Sequence, residues 1–270
     1  MTAALFDAHC HLDLPAFDAD RDAVWQRAVD AGVRFAVVPA VHPQRWEHTL
    51  AAALAGARGV ALGVHPHALP SLSRDALDDA LARLAGTVTA HRDRVVAIGE
   101  CGLDVTTAVP MDQQLSALAA HAAVARALDL PLVLHVVGAH PEALALLSSV
   151  PLPSRPGLVH AYSGGASRVR AWTDLGFHLS FGGSVTRPVA KRPAESARAT
   201  PAHRLLVETD APDQLPHGVD RPSRRCEPAD LARVVDALAA LRETTPDQLA
   251  ALTTANASAL FAMPTDHPIV

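Results

Sequence analysis

Two histidines flank a cysteine near the start of the chain, in Asp7-Ala8-His9-Cys10-His11, directly behind the apolar pair Leu5-Phe6. Read as the end of a first β-strand, this segment alternates faces, so Asp7, His9 and His11 point one way and Cys10 the other. Two imidazoles on one face, with backbones about 6–7 Å apart, can grip a single metal ion. Similar groups close other apolar runs. His65 and His67 follow Gly63-Val64, Glu100 and Asp104 follow Val95-Val96-Ala97-Ile98, and His135 follows Leu132-Val133-Leu134. His160 follows Leu158-Val159, and Glu208 and Asp210 follow Leu205-Leu206-Val207. An unpartnered charge in such surroundings costs several kcal/mol, which a shared cation offsets. One histidine alone in an apolar run is more often a hydrogen-bonded core residue; the recurrence at six run ends favours metal binding. His42, His48, His91, His121, His178, His203, His217 and His267 fall on helices or loops and read mostly as solvated.

These groups need a scaffold that brings many strand ends together. The pattern predicts eight strands at 4–9, 34–40, 59–65, 95–101, 131–136, 157–161, 177–182 and 205–210. Alanine- and leucine-rich helices are predicted near 20–31, 43–56, 74–91, 112–129, 141–149 and 167–175, with a weaker one within 188–200. Two more, near 228–242 and 246–261, close the chain. Strands alternating with helices imply parallel pairing, and eight units suggest one α/β domain, a (β/α)8 TIM barrel with an additional C-terminal helix. The barrel is expected to span 1–262, with a loosely ordered tail at 263–270. Gly32 and Gly176 read as helix stops, and Thr245-Pro246 as a helix start.

The 270-residue length suits such a barrel, and the 49% hydrophobic content supplies its core. The net charge of −5 excludes a globally basic nucleic-acid coat, so a polyanion must be met by a local patch or by metals. Three cysteines are too few for a disulfide framework. Cys10 and Cys101 read as small apolar residues facing the helices. No signal peptide or membrane span is expected, and the expected location is the cytoplasm.

The motifs Asp7-Ala8-His9-Cys10-His11-Leu12-Asp13, Gly63-Val64-His65-Pro66-His67, Gly99-Glu100-Cys101-Gly102-Leu103-Asp104, Leu134-His135, His160-Ala161-Tyr162-Ser163-Gly164 and Glu208-Thr209-Asp210-Ala211-Pro212 occur in this order. Asn256 and Leu260-Phe261 follow. Together they make the chain resemble the TatD-type metal-dependent hydrolases, a branch of the amidohydrolase-like barrels. The resemblance runs from residue 4 to about 261, and its ordered set of motifs is far more specific than any one of them.

The resemblance implies two divalent cations. His9, His11 and Asp210 would hold one, His135 and His160 the other, and Glu100 would bridge them. The only lysine, Lys191, lies outside the strands, so a carboxylated lysine cannot be the bridge and Glu100 is the available anion. Imidazole and carboxylate ligands suit Zn, Mn, Co or Ni better than a site made for Mg alone, although the family accommodates Mg. A water activated between the ions would be the nucleophile, with Asp210 as its proton acceptor. Glu208 would orient a ligand histidine, and His65 and His67 could touch a phosphate oxygen.

The implied activity is phosphodiester hydrolysis, in first place as a deoxyribonuclease working on single strands or ends. Arg187, Lys191, Arg192 and Arg198 after strand seven, and Arg221, Arg224 and Arg225 after strand eight, form a basic rim suited to nucleic acid. Arg224 and Arg225 are its candidate substrate contacts, and Tyr162 and Phe181 candidate stacking faces. The chain departs from the family at Val136-Val137-Gly138, where Ser-Arg is frequent, at His121, where glutamine is frequent, and at Cys226, where asparagine is frequent. The strand-four loop, Val105-Thr106-Thr107, lacks an aromatic pair often present. Two alternatives stand: an amidohydrolase-like enzyme for a C–N, ester or lactone bond, and a non-catalytic binding barrel. The oligomeric state is not legible.

Overall fold

The computed structural model describes residues 3–52 and 58–263. Eight strands, β1 (Leu5–Asp7), β2 (Val33–Pro39), β3 (Arg58–Leu62), β4 (Val95–Asp104), β5 (Leu132–Val137), β6 (Gly157–Val159), β7 (His178–Phe181) and β8 (Leu205–Val207), pair in parallel in chain order. Ala8 N–H donates to the Val207 carbonyl at 3.0 Å, and Asp210 N–H to the His9 carbonyl at 2.9 Å. These bonds bring the chain after β8 back against β1. The predicted TIM barrel is the observed fold.

The helices are α1 (Arg21–Asp30), α2 (Trp46–Ala52), α3 (Arg74–Ala90), α4 (Met111–Leu128), α5 (His140–Ser149), α6 (Ala166–Asp174), α7 (Lys191–Ala199), α8 (Leu231–Leu241) and α9 (Pro246–Phe261). The predicted helix near 43–56 begins as a 3-10 turn at Pro43–Arg45, and its positions 53–56 lie outside the described residues.

Strand alternation separates two cores. Phe6, Phe35, Val37, Ala61, Ala97, Val133, Leu158 and Leu206 fill the barrel, while Val60, Leu62, Leu132, Leu134, Val159, Leu179 and Val207 join the sheet–helix layer. Helix α9 starts with a Thr245–Gln248 capping box and ends with Phe261 stacked on Phe6 at 5.8 Å, closing the end of the barrel opposite the polar rim. Met263, predicted to open the loose tail, instead packs into this floor. The remainder of that tail lies outside the described residues. Cys10, Cys101 and Cys226 are free and buried, in keeping with the reading of the first two as apolar residues. Among the described residues no helix is long and apolar enough to cross a membrane.

Five strands, β1, β3, β6, β7 and β8, are shorter than predicted, and for three of them the reason is functional geometry. β1, β6 and β8 leave the ladder before His9, His160 and Asp210, so turns rather than pleats aim those side chains. Asp210 and Ala161 take positive φ values of 55° and 42°, uncommon for residues with a Cβ. β4 is longer than predicted, because Gly102, Leu103 and Asp104 go on pairing with His135, Val136 and Val137. Gly102, at φ 150°, lies so close to β5 that a Cβ would overlap the His135 carbonyl oxygen.

Two histidines read as solvated are buried, His178 and His121. His121 accepts from Val64 N–H at 3.0 Å through Nε2, and its Nδ1 faces the Ala117 carbonyl at 2.7 Å. It therefore holds α4 to the exit of β3 as a neutral ring. Burial pushes its pKa down to about 4. The folded protein thus binds fewer protons here than the unfolded chain between about pH 6.5 and 4. This stabilising contribution is complete above that window and is lost as the pH falls through it. In urea unfolding, His121→Gln, whose amide oxygen can accept from Val64, should lose about 2 kcal/mol less stability than wild type between pH 7 and 4.5. Equal losses would overturn this account.

Candidate metal centre

Glu100, at the middle of the long β4, is 1% exposed and lies at the centre of the rim. Its Oε2 faces His9 Nε2 at 3.3 Å and His11 Nε2 at 3.5 Å. Its Oε1 faces His160 Nε2 at 2.9 Å, His135 Nδ1 at 3.2 Å and His65 Nε2 at 3.2 Å. One carboxylate thus turns a different oxygen to each histidine pair. Within the pairs, His9 Nε2 and His11 Nε2 are 3.1 Å apart, and His135 Nδ1 and His160 Nε2 3.0 Å. Asp210 Oδ1 lies 3.6 Å from His9 Nε2 and 3.7 Å from His11 Nε2.

The outer nitrogens decide what the inner ones present. His11 Nδ1 faces the Pro39 carbonyl at 3.1 Å, and His135 Nε2 faces Asp104 Oδ2 at 2.9 Å. Both partners only accept, so these outer nitrogens carry the protons and the inner nitrogens offer lone pairs. His160 Nδ1 lies 3.5 Å from Glu208 Oε1, which also accepts from Ala161 N–H at 2.6 Å. Carboxylates and carbonyls behind imidazoles in this way orient metal ligands and raise their basicity.

His65 is wired the opposite way. Its Nδ1 accepts from His67 N–H at 3.0 Å, so in the neutral ring Nε2 carries the proton. Burial lowers its pKa to about 4 and keeps it neutral. It is therefore a donor aimed at the centre, although it stands close enough to Glu100 and His135 to be grouped with the ligands. His67, half-exposed, contacts Asp104 Oδ2 at 2.8 Å and supports the carboxylate that orients His135. Asp104 thus orients His135, and it also accepts from Thr106 N–H and Oγ1 at 2.7 Å each.

The electrostatics ask for a cation. Burial opposes ionisation of Glu100, yet the imidazoles around it, His160 foremost, hold its carboxyl well below the usual range. Burial likewise opposes charge on Asp210, and His160, His9 and His11 overcome it. Both Glu100 oxygens nevertheless lack a hydrogen-bond donor in good geometry. A buried anion ringed by inward nitrogen lone pairs is the donor set of a metal centre, and His9, His11, Glu100, His135, His160 and Asp210 fit one.

Several sequence expectations change here. Asp7 does not face the centre: its Oδ2 accepts from Thr209 Oγ1 at 2.6 Å and its Oδ1 from Thr209 N–H at 3.0 Å. Burial, with Glu208 as a lesser contributor, raises its pKa to about 8. Arg225 is not free for a phosphate. It binds Asp20 and Glu227 through both terminal nitrogens at 2.8–2.9 Å and lies over Phe17. Arg221 is likewise bound to Asp230 at 2.8 and 3.1 Å. Arg224 is exposed and has no carboxylate partner among the described residues. Tyr162 and Phe181 are buried against each other at 6.1 Å, so neither offers a stacking face. Cys226 is buried behind the turn that carries Asp210, its N–H donating to the Pro212 carbonyl at 2.9 Å and its Sγ 3.8 Å from the Thr209 carbonyl.

Sequence reasoning missed two residues. Gln214 donates Nε2–H to Asp210 Oδ2 at 2.8 Å, leaving Oδ1 turned to the histidines. His140 is buried between α5 and α6 and accepts from Trp172 Nε1–H at 3.2 Å. Neither stands at the end of an apolar run, the signal by which the others are found.

Asp104→Ala should weaken metal binding about 10–100-fold by freeing the outer nitrogen of His135. Chelator competition on the folded variant would measure it, and unchanged affinity would refute the orienting role.

Residues 6–262 match the family described as TatD related DNase. The chain is 34% identical over 266 residues to the metal-dependent hydrolase YjjV of Escherichia coli K12, covering 98% of this chain and 100% of that one. It is 38% identical over 267 residues to the 3'-5' ssDNA/RNA exonuclease TatD of Klebsiella pneumoniae 342, covering 95% and 97%. The crystal structure of E. coli YjjV superposes with a TM-score of 0.90 at 33% identity, covering 98% of this chain and all of that one.

Proposed function

The chain belongs to the TatD-related DNase family and is a metal-dependent hydrolase; from that premise we propose that it cleaves phosphodiester bonds of nucleic acid, chiefly DNA, from single strands or ends. The observation that carries this reading is Glu100, with one oxygen turned to His9 and His11 and the other to His135 and His160. His9, His11 and Asp210 would hold one divalent ion, His135 and His160 a second, and Glu100 both. Bound there, such ions acidify water and stabilise the charge that develops on phosphoryl oxygens.

The chain's own groups supply the rest. Asp210 Oδ1, the most accessible carboxylate of the centre, accepts the proton of the attacking water. Gln214 holds the other oxygen and so fixes the orientation of Asp210. His65 offers Nε2–H to a non-bridging phosphate oxygen. Glu208 and Asp104 keep His160 and His135 in register. The site lies in a recess at the barrel mouth, with Glu100 and His9 all but inaccessible. A flexible single strand can bend into such a recess and an intact duplex cannot. The exonuclease relatives act on single-stranded DNA and RNA, which supports the same substrate class.

The test pairs metal analysis of the purified protein with degradation assays on single- and double-stranded DNA and RNA. Two equivalents of metal, and degradation of single strands that chelation abolishes, are expected. Glu100→Ala should lose metal and activity together. A fully metallated, active Glu100→Ala would refute the bridge. Turnover of esters or lactones without any oligonucleotide cleavage would refute the substrate class.

A further inference from the structure

The loop Ala161–Gly165 leaves His160 and leads into α6, and two guanidinium groups converge on it. Arg168, in the first turn of α6, donates to the Gly164 carbonyl at 3.2 Å. Arg192, in the first turn of α7, lies over Gly165, its Nε 3.2 Å from where a Cβ would stand. The absence of a side chain at Gly165 makes room for that guanidinium. Neither arginine has a carboxylate partner among the described residues, whereas Arg221 and Arg225 on the neighbouring loop are paired with carboxylates.

This arrangement is costly by itself. Like charges face one loop, and both stand at helix N-termini, where the macrodipole disfavours cations and favours anions. Their field reaches the buried interior: burial first, and then the charges of Arg168 and Arg192, lower the pKa of His140 to about 4. The loop also borders the metal centre. Ser163, exposed, follows His160 by three residues, and its Oγ donates to the Val136 carbonyl at 3.3 Å, beside His135. The exit of β5, Val136-Val137-Gly138, brings no cation of its own to this side of the rim.

We propose that Arg168 and Arg192, with Ser163 between them and the centre, form a subsite for a second phosphate of the strand, adjacent to the one being cleaved. The proposal rests on the phosphodiesterase reading and deepens it. It makes the enzyme selective for a substrate with at least two consecutive phosphates over one with a single phosphate. No proton or electron moves at this subsite.

The test compares the full-length wild type with Arg168→Gln, Arg192→Gln, the double variant and Arg170→Gln. Arg170 lies on the outer face of α6, paired with Asp174, and serves as the control. Each protein is assayed on a single-stranded oligonucleotide and on bis(4-nitrophenyl) phosphate, which carries one phosphate. The ratio of their kcat/KM values should fall at least tenfold in the double variant, through KM for the oligonucleotide, and stay at the wild-type value in Arg170→Gln. An unchanged ratio, or an equal fall in the control, overturns the subsite while leaving the phosphodiesterase reading intact. If wild type cleaves neither substrate, that reading fails, and fluorescence anisotropy with a labelled oligonucleotide decides the subsite alone. Weaker binding by the double variant, with a salt slope smaller by about 0.7, upholds it, and equal affinity overturns it.

Discussion

A buried carboxylate whose oxygens meet no hydrogen-bond donor in good geometry is among the least tolerable groups in a protein interior, and Glu100 is one. Much of the rim is organised around it. Five imidazoles bring a nitrogen within 3.5 Å of its oxygens. Four of them come in two close pairs, one for each oxygen. A cation held among them would take these nitrogens and the carboxylate as its ligands.

The surroundings make that arrangement specific. A neutral imidazole has one donor and one acceptor nitrogen, and the neighbour of the outer nitrogen decides which faces inward. Pro39 and Asp104 therefore act on the centre through His11 and His135. A single backbone N–H, that of His67, turns His65 from a ligand type into a donor type. Residues of one chemical kind thus divide into two roles by the polarity of their second contact.

The rim shows the same economy with arginine. Arg225, Arg27, Asp20 and Glu227 form a network that fastens the loop after β8 to α1 across some 200 positions of sequence. That loop carries Asp210, so the charges there stabilise the position of a carboxylate of the candidate centre. The charges near His160 have no such partners and remain available to an anion. An arginine-rich, net-negative chain can in this way concentrate positive potential on one sector of its active face.

The sequence by itself determined the scaffold and the donors. Apolar runs, six of them closed by polar groups, repeated eight times with helices between, leave few ways to bury their faces other than a parallel barrel. The order of His9, His11, Glu100, His135, His160 and Asp210 along those runs already named the candidate centre. Tertiary structure alone decided orientation and pairing. Strand alternation is a local rule that ends where the ladder ends, so it put Asp7 toward the centre, while the real chain turns at Ala161 and Asp210 and gives Asp7 to Thr209. Whether a histidine offers a lone pair or a proton, and whether an arginine is free or bound, depends on partners such as Asp104 for His135 and Asp20 for Arg225. Those partners are distant in sequence and meet only when the barrel closes.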